Sequence, residues 1–546
     1  MENYDFVNLT NRGLRTIPVI LHQHADSIIT LRLSRNPMSE IPLDFIQSCT
    51  TLRELRLDNM AMKKVPSSIQ HSQTLHRLDL SSNSLKDLND TYLDQIPGLL
   101  SLSLHINKLS SLPWHFPRLR SLVNLNLAHN RFKELPQEVT QLEGLHDLDI
   151  SFNTLSFLPK EIGNLKSLER LIIANNKIQR FPPEVCQLVK LIHLDCRRNL
   201  IVDLSPVCRL PALQTINAER NAVRALDLAM GAAVTSLDAS WNDITLLSIS
   251  PMATGPMGLS NGHINPMNGI GPKPTWGLTC LTLSYAKLSS IDDSALRQLP
   301  TLRSLCLDHN SLRSLPESLG ELRWLEALSV TDNKLDSLPA SIGNLGSLET
   351  LDAHNNSLVE IPEGIWNCGS LMRVNVTSNC LETWKDPPED VDATLRKGSA
   401  ISLGSGGRKI SAPLINSLRK LYIGENALTD ASILPLMYFR KLEVLNLSFN
   451  DIQDLPPGFL RNMTGLEELY LSGNKLTSVP SEDLPRLTKL STLFLNGNKL
   501  QTLPQELGKL SNLAVLDVGS NLLRYNINNW EYEWNWCVLR FFSRLF

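Results

Sequence analysis

One nine-residue pattern, L-x-x-L-x-L-x-x-N, recurs through almost the whole chain and constrains its fold more than any other feature. A representative copy runs from Leu75 to Asn83, and most neighbouring copies lie 23 or 24 residues apart. Aligning the residue that corresponds to Asn83, here called the ladder position, gives 21 repeats in chain order. Only three repeats lack the asparagine, and they have Arg12, Met60 and Ala286 in its place. The ladder positions are 12, 36, 60, 83, 107, 130, 153, 176, 199, 221, 242, 286, 310, 333, 356, 379, 426, 450, 474, 498 and 521.

The leucine spacing predicts a short strand in each repeat, because alternate residues of a strand face the same side. Repeats of this length stack on one another, since a single repeat cannot bury enough apolar surface alone. The pattern is that of a leucine-rich repeat. We therefore predict an α/β solenoid, an arc of about 21 repeats with a parallel β-sheet on its concave face. We expect Pro159 and its equivalents to direct the chain onto the outer wall, and Gly163 and its equivalents to allow tight bends.

The regular spacing fails at two places, which divides the chain into segments. Leucine-rich repeats are predicted for residues 1–250, 276–384 and 413–524. Between them we predict a Gly/Pro/Met-rich loop at 251–275 and a Gly/Ser-rich, charged loop at 385–412. Residues 525–546 no longer follow the repeat, and we expect the last repeat to expose leucine and valine side chains at this end.

Composition and charge exclude several classes of protein. The chain has 52 Lys and Arg against 55 Asp and Glu, a net charge of −3, which argues against a nucleic-acid-binding protein. We find neither a signal peptide nor an apolar run long enough to span a membrane. Nine scattered cysteines form no C-x-x-C pair, and Cys196 takes a strand position normally held by leucine. The chain is therefore expected to be cytoplasmic.

The sequence contains none of the common catalytic motifs, neither a phosphate-binding loop nor a nucleophile elbow nor a zinc-protease helix. Aspartate recurs between the two strand leucines, but isolated carboxylates on an open sheet lack the burial that acid–base chemistry needs. These residues are Asp79, Asp149, Asp195, Asp238, Asp352 and Asp517. We expect no enzyme activity, no cofactor and no metal on this chain.

Function is then expected on the exposed strand positions, where two groups of side chains differ from the usual Ser and Asn. The first group is rich in arginine and carries a tryptophan, both frequent at interface hot spots; its members are Arg170, His193, Arg197, Arg198, Arg220 and Trp241. Acidic residues such as Glu219 lie among them, so a solvated mixed-charge strip is the alternative. The second group is the aromatic row Tyr422, Tyr470 and Phe494, which Asn446 interrupts.

Two serines in the second predicted loop follow pairs of basic residues. Arg396-Lys-Gly-Ser399 and Arg408-Lys-Ile-Ser411 fit kinases that recognise cations two and three residues before the serine, as the cyclic-AMP-dependent kinase does. Ser399 and Ser411 are candidate phosphorylation sites. The alternative is a solvated loop in which these residue types are common.

Several segments depart from the repeat consensus and resemble the leucine-rich region of fungal, Ras-responsive adenylate cyclases. They are Ile41–Leu57, Asn59–Pro66, Leu112-Pro-Trp-His-Phe-Pro117 and Tyr525–Trp530, and the resemblance spans about residues 5 to 536. In that family the region binds activated Ras and lies upstream of a phosphatase-like domain and the cyclase catalytic domain. The resemblance implies a Ras-type small GTPase as partner, and a location at the plasma membrane through partners. Residues 537–546 depart from the family, which predicts a truncated or unusually spliced form without the catalytic domain.

Two other classes remain open from the sequence. The first is an independent intracellular leucine-rich scaffold that bridges Ras and a protein phosphatase, whose repeats are of similar length. The second is an enzyme that uses its repeats as a substrate receptor, for which no catalytic segment is evident here.

Overall fold

The computed structural model describes residues 4–226, 233–247, 277–387 and 412–523. Contacts divide the chain into two compact units, each a stack of repeats. The first unit comprises residues 1–244 with 249–278, and the second comprises residues 245–248 with 279–546. Repeats 1–11 lie in the first unit and repeats 12–21 in the second.

Every repeat contributes one three-residue strand, as the leucine spacing predicts, and neighbouring strands pair in parallel with leucine beside leucine. Leu78 pairs with Leu102, and both are at most 2% exposed, so the alternating leucines form the core. The strands of the first unit are Phe6–Asn8, Thr30–Arg32, Glu54–Arg56, Arg77–Asp79, Ser101–Ser103, Asn124–Asn126, Asp147–Asp149, Arg170–Ile172, His193–Asp195, Thr215–Asn217 and Ser236–Asp238.

The second unit repeats this arrangement with ten strands in its described residues. They are Cys280–Thr282, Ser304–Cys306, Ala327–Ser329, Thr350–Asp352, Arg373–Asn375, Lys420–Tyr422, Val444–Asn446, Glu468–Tyr470, Thr492–Phe494 and Val515–Asp517. Two short additional parallel pairs join Leu246–Leu247 to Ser290–Ile291 and Glu360–Ile361 to Thr383–Trp384.

Among the described residues, short helices follow most of the strands. Four are α-helical, at Val19–His22, Leu43–Ser48, Ser205–Cys208 and Asp293–Arg297. The others are 3-10 turns at Ala25–Ser27, Ser67–His71, Leu93–Gln95, Phe116–Arg118, Val139–Gln141, Lys160–Asn164, Pro183–Gln187, Glu317–Glu321, Ala340–Asn344, Glu363–Asn367, Pro413–Asn416, Leu434–Tyr438, Leu484–Arg486 and Gln505–Lys509. Many begin directly after a proline, because its fixed φ suits a helix start; Pro159 precedes Lys160–Asn164 with φ −69°.

The structure gives Gly163 a role that differs from the predicted one. Gly163 does not need the left-handed conformation, but a Cβ there would lie 2.8 Å from the carbonyl oxygen of Glu184 in the next repeat. Gly343 and Gly364 make a similar approach between consecutive repeats. Glycine at this position therefore lets neighbouring outer turns pack closely, rather than bending the chain.

The asparagines at the ladder positions hydrogen-bond backbone across successive repeats. Asn153 is typical: its Oδ1 accepts from the amide of Phe132 at 3.0 Å, and its Nδ2 donates to the carbonyls of Leu127, Ile150 and Ser151 at 3.0–3.1 Å. A buried carbonyl or amide without a partner costs about 1–3 kcal/mol, so each such residue stabilises the turn and the stack together.

The three repeats without asparagine use the ladder residue of the following repeat. Asn83 accepts from the amides of both Met60 and Met62, each at 3.0 Å. Asn36 and Asn310 do the same for repeats 1 and 12. One amide oxygen thus serves two donors where the preceding repeat has lost its own asparagine.

The residue immediately before the ladder position adopts a positive φ in all 21 repeats. Nineteen of these residues are not glycine, and they include Phe152 (φ 51°), Arg198 (φ 54°) and Trp241 (φ 56°). Left-handed backbone costs a non-glycine residue about 1–2 kcal/mol. The hydrogen bonds of the neighbouring asparagine offset that cost, and the residue's side chain is held at the edge of the sheet.

The two predicted loops and the tail fall almost wholly outside the described residues. Lys385, the first residue of the second predicted loop, is among the described residues. Its carbonyl accepts a hydrogen bond of 3.1 Å from Trp366 Nε1. In the last repeat, Leu513, Leu516 and Val518 are buried. Within the described chain, the exposure predicted for this repeat is confined to Leu522, which is 60% exposed.

Candidate interaction surface

The arginine-rich group predicted from the sequence lies on four neighbouring strands of the first unit and on the turns that follow them. Arg170 pairs in register with His193, and His193 with Thr215. Because adjacent strands are about 4.8 Å apart, these side chains form one surface. The structure therefore brings Arg170, His193, Arg197, Arg198, Arg220 and Trp241 onto one face of repeats 8–11, here called the arginine face.

Most cations of the arginine face are paired with a carboxylate. Arg170 lies 3.3 Å from Asp147, and Arg197 lies 3.1 Å from Asp195. Arg220 pairs with Glu219 at 3.0 Å and also lies 4.7 Å above the ring of Trp241. The arginine face is thus a mixed-charge surface with a cation–π pair at one side.

Arg198 differs from the other arginines of this face. It is exposed and forms no ion pair within the described part of the chain. Arg198 therefore offers the guanidinium that is most available to an anionic partner.

His193 contributes a neutral imidazole to this surface. Burial and, after it, the nearby Arg170 guanidinium disfavour the imidazolium and lower the pKa of His193 below its ordinary value of 6.5. Nδ1 contacts the hydroxyl of Thr215. At pH 7 the ring is therefore uncharged.

We expect Arg170→Gln to raise the pKa of His193, because the substitution removes a positive charge beside the ring. A proton NMR titration of the histidine C–H signals measures this shift, with His71 as an internal reference in a distant repeat. An unchanged His193 pKa in the variant would mean that the Arg170 guanidinium does not contribute to the lowering.

A row of apolar side chains beside the arginine face escaped the sequence analysis. The rings of His129 and Phe152 stack with centroids 4.0 Å apart, and Phe152 is 41% exposed. Ile106 precedes them in the row. The polar Asn175 follows Phe152, and Arg198, Arg220 and Trp241 then continue the row. All occupy the left-handed position before the ladder residue, so reading that one position down the alignment would have found them.

The aromatic row predicted in the second unit is half-buried. Tyr470 and Phe494 contact each other edge to face, with centroids 5.2 Å apart, and Arg373 lies 5.2 Å above the ring of Tyr422. Asn446 lies between Tyr422 and Tyr470, as the sequence indicates. Burial, followed by a hydrogen bond to Glu468, raises the pKa of Tyr470 to about 12.

The recurring aspartates have a structural role in the turn after each strand. Asp149 Oδ1 accepts a hydrogen bond of 3.0 Å from the amide of Ser151, two residues later. The same bond forms at the other five positions, Asp79, Asp195, Asp238, Asp352 and Asp517. This contact explains their recurrence without any catalytic function.

The described residues contain no group of three or more His, Cys, Asp or Glu side chains arranged to hold a metal ion. They also contain no helix with the length and apolar character needed to cross a bilayer. Cys196 is fully buried, and burial raises the pKa of its thiol, which fits its predicted place in the core. Ser399 and Ser411 lie outside the described residues.

Comparison with protein families identifies the class to which this fold belongs. A leucine-rich repeat model matches residues 73–132, 120–178, 416–476, 440–500 and 465–523. A leucine-rich repeat region model matches residues 278–390. The chain is a leucine-rich repeat protein, and the predicted α/β solenoid is confirmed.

Two relatives that align with 98% of this chain are fungal adenylate cyclases. That of Mycosarcoma maydis is 46% identical over 567 aligned residues, which cover 98% of this chain and 22% of the relative. That of Podospora anserina is 37% identical and covers 98% of this chain and 28% of the relative. The predicted resemblance to the leucine-rich region of fungal adenylate cyclases is confirmed, and the chain spans about a quarter of the length of these relatives.

Two solved structures share the fold. An LRR protein of Leptospira interrogans has a TM-score of 0.54 at 25% identity, over 86% of this chain and 97% of that one. YopM of Yersinia enterocolitica has a TM-score of 0.58 at 23% identity, over 95% and 88% respectively. These similarities concern architecture alone.

Proposed function

We propose that this chain is a non-catalytic recognition segment that binds a Ras-type small GTPase through the arginine face of repeats 8–11. By analogy with the adenylate cyclases that this chain resembles, this binding would serve the control of cyclic AMP synthesis. The similarity to fungal adenylate cyclases along 98% of the chain supports the assignment. The GTPase would bring the protein from the cytoplasm to the plasma membrane.

The observation that carries the proposal is the exposed guanidinium of Arg198, which forms no ion pair among the described residues and belongs to the repeat before the Arg220–Trp241 pair. The effector-binding face of Ras-type GTPases is acidic. Arg198 matches such a surface directly, and Trp241, at 43% exposure, adds the apolar contact that a hot spot needs.

The ion pairs on the arginine face determine which substitutions matter most. Arg170 and Arg197 must release Asp147 and Asp195, or share them, before they contact a partner. Their net contribution to affinity is therefore smaller than that of Arg198. Their charges still accelerate encounter with an acidic surface.

We expect the double variant Arg197→Ala with Arg198→Asn to weaken binding of the GTP-loaded GTPase at least ten-fold. Asparagine is chosen at position 198 because it tolerates the left-handed backbone, as Asn175 does at the same position of the preceding repeat. Calorimetry with the full chain measures the affinity, and circular dichroism verifies the fold.

The matched control is Arg180→Ala with Arg209→Ala, which removes the same charge from exposed positions away from the strands. We expect this control to retain wild-type affinity. Equal affinity of the two double variants for the GTPase would refute the arginine face as the binding site.

A further inference from the structure

A separate pocket of about 310 Å³ lies at the ends of six strands of the second unit. Its walls include Glu425, Asn446, Phe449, Phe494, Asn496 and Asp517. This volume is at the lower end of the range for ligand sites, so the pocket accommodates one side chain or a small group. It shares no residue with the arginine face.

Three glycines lie in or next to the lining of this pocket. Gly473 and Gly497 occupy the left-handed position before the ladder residue, where other repeats carry larger side chains, with φ of 66° and 68°. Phe449 packs over Gly473, and a Cβ at that glycine would overlap its ring. At Gly424, a Cβ would lie 2.9 Å from the carbonyl oxygen of Ser448 and 3.2 Å from Asn446 Oδ1.

The pocket is negatively charged and has aromatic walls. Glu425 accepts a hydrogen bond of 2.6 Å from the hydroxyl of Ser378, and Asp517 accepts one of 2.9 Å from the amide of Gly519. Neither carboxylate forms an ion pair within the described residues, and the lining includes no lysine or arginine. Phe449 is 57% exposed, so a face of its ring is available to a ligand.

Nearby cations of this unit are already engaged elsewhere. Arg373 lies against the ring of Tyr422, Arg419 pairs with Glu443, and Lys475 pairs with Asp451 at 2.7 Å. No lysine or arginine lines the pocket, so a bound ligand has to supply the matching positive charge.

We propose that this pocket binds an arginine side chain presented by a partner protein. The planar guanidinium stacks on aromatic rings and forms directed hydrogen bonds with carboxylates, whereas a lysine ammonium is a compact, strongly hydrated charge. Glu425 and Phe449 follow neighbouring strands, and Phe494 pairs in register with Asp517, so each end of the pocket offers a guanidinium one ring and one carboxylate. The amides of Asn446 and Asn496 line the wall between the two ends. The second unit thus recognises a basic segment, a chemistry opposite to that of the arginine face.

To test this proposal, random heptapeptides displayed on phage are selected for binding to the full chain. The affinity of the selected peptides is then measured by calorimetry. We expect the selected peptides to share an arginine. Replacing this arginine by glutamine should weaken binding at least ten-fold, and replacing it by lysine should weaken binding several-fold.

The protein variants for this test preserve the turn geometry. Asp517→Asn keeps an oxygen for the amide of Gly519, as Asn446 does for the amide of Ser448. Combined with Glu425→Gln, it should weaken peptide binding at least ten-fold. Phe449→Asn, which suits the left-handed backbone, should weaken binding several-fold by removing the ring.

The matched control is Asp79→Asn, which removes one carboxylate charge at the equivalent turn of the first unit. It should leave peptide affinity unchanged. Selected peptides without a common arginine, or peptides that bind the Glu425→Gln, Asp517→Asn variant as tightly as the wild type, would overturn the proposal. Neither result bears on GTPase binding, because the arginine face is intact in these variants.

Discussion

Replacement of Asn333 by alanine is expected to lower the free energy of unfolding by about 3–5 kcal/mol. The Oδ1 of Asn333 accepts from the amide of Leu312 at 3.0 Å, and its Nδ2 donates to the carbonyls of Leu307, Val330 and Thr331 at 3.0–3.1 Å. Alanine leaves these backbone groups without a partner, at about 1–3 kcal/mol for each one that remains buried. Urea denaturation measures the loss, and hydrogen exchange at the amide of Leu312 locates it.

The control for this prediction is Asn344→Ala, since Asn344 is exposed at the end of the outer turn Ala340–Asn344. We expect this substitution to change stability by less than about 0.5 kcal/mol. Equal losses for Asn333→Ala and Asn344→Ala would contradict a special contribution of the ladder positions.

Trp384→Ala is expected to cost a similar amount, about 3–5 kcal/mol, through loss of core packing. Trp384 is 1% exposed and contacts Trp366 and Phe439 edge to face, with centroids 6.5 and 6.2 Å away. Trp366 and Phe439 stack at 5.2 Å. This cluster joins the outer turns on either side of the second predicted loop, so its loss should destabilise repeats 16 and 17 together.

Two substitutions separate packing from side-chain polarity in this cluster. Trp384→Phe should retain most of the stability, because the buried Nε1 of Trp384 has no hydrogen-bond acceptor among the described residues. Trp324→Ala serves as the exposed control, at 59% exposure, and should change stability little. Thermal unfolding measures all three variants, and a loss in Trp384→Ala no larger than in Trp324→Ala would contradict the packing argument.

The fold was predictable from the sequence because leucine periodicity determines which side chains are buried. Residues such as Leu78 and Leu102 mark strand positions without ambiguity, so strand number and register followed from alignment. The backbone before each ladder position was not predictable from residue type, since Phe152 and Trp241 disfavour a positive φ in isolation. The hydrogen bonds of the adjacent asparagine outweigh the free-energy cost of a positive φ at these residues.

The candidate surface was only partly predictable. The sequence indicated which strands would carry Arg170, Arg197 and Arg220, but not that each would find a carboxylate on its own or a neighbouring strand. Those pairings depend on side-chain direction, which repeat alignment does not contain. The pocket of the second unit escaped prediction for a related reason, because it depends on how the ring of Phe449 packs over Gly473, which repeat alignment does not show.

Hydroxyl-radical footprinting of the full chain with the GTPase tests the central claim most directly, because it reads the exposure of individual side chains. Trp241 is 43% exposed in the free protein, while Trp114 and Trp324, at 72% and 59%, belong to other repeats and serve as references. We predict that saturating GTP-loaded GTPase protects Trp241 and leaves Trp114 and Trp324 unchanged, and that the GDP-loaded form protects none of them. Saturated binding with Trp241 still fully reactive would contradict the proposed site.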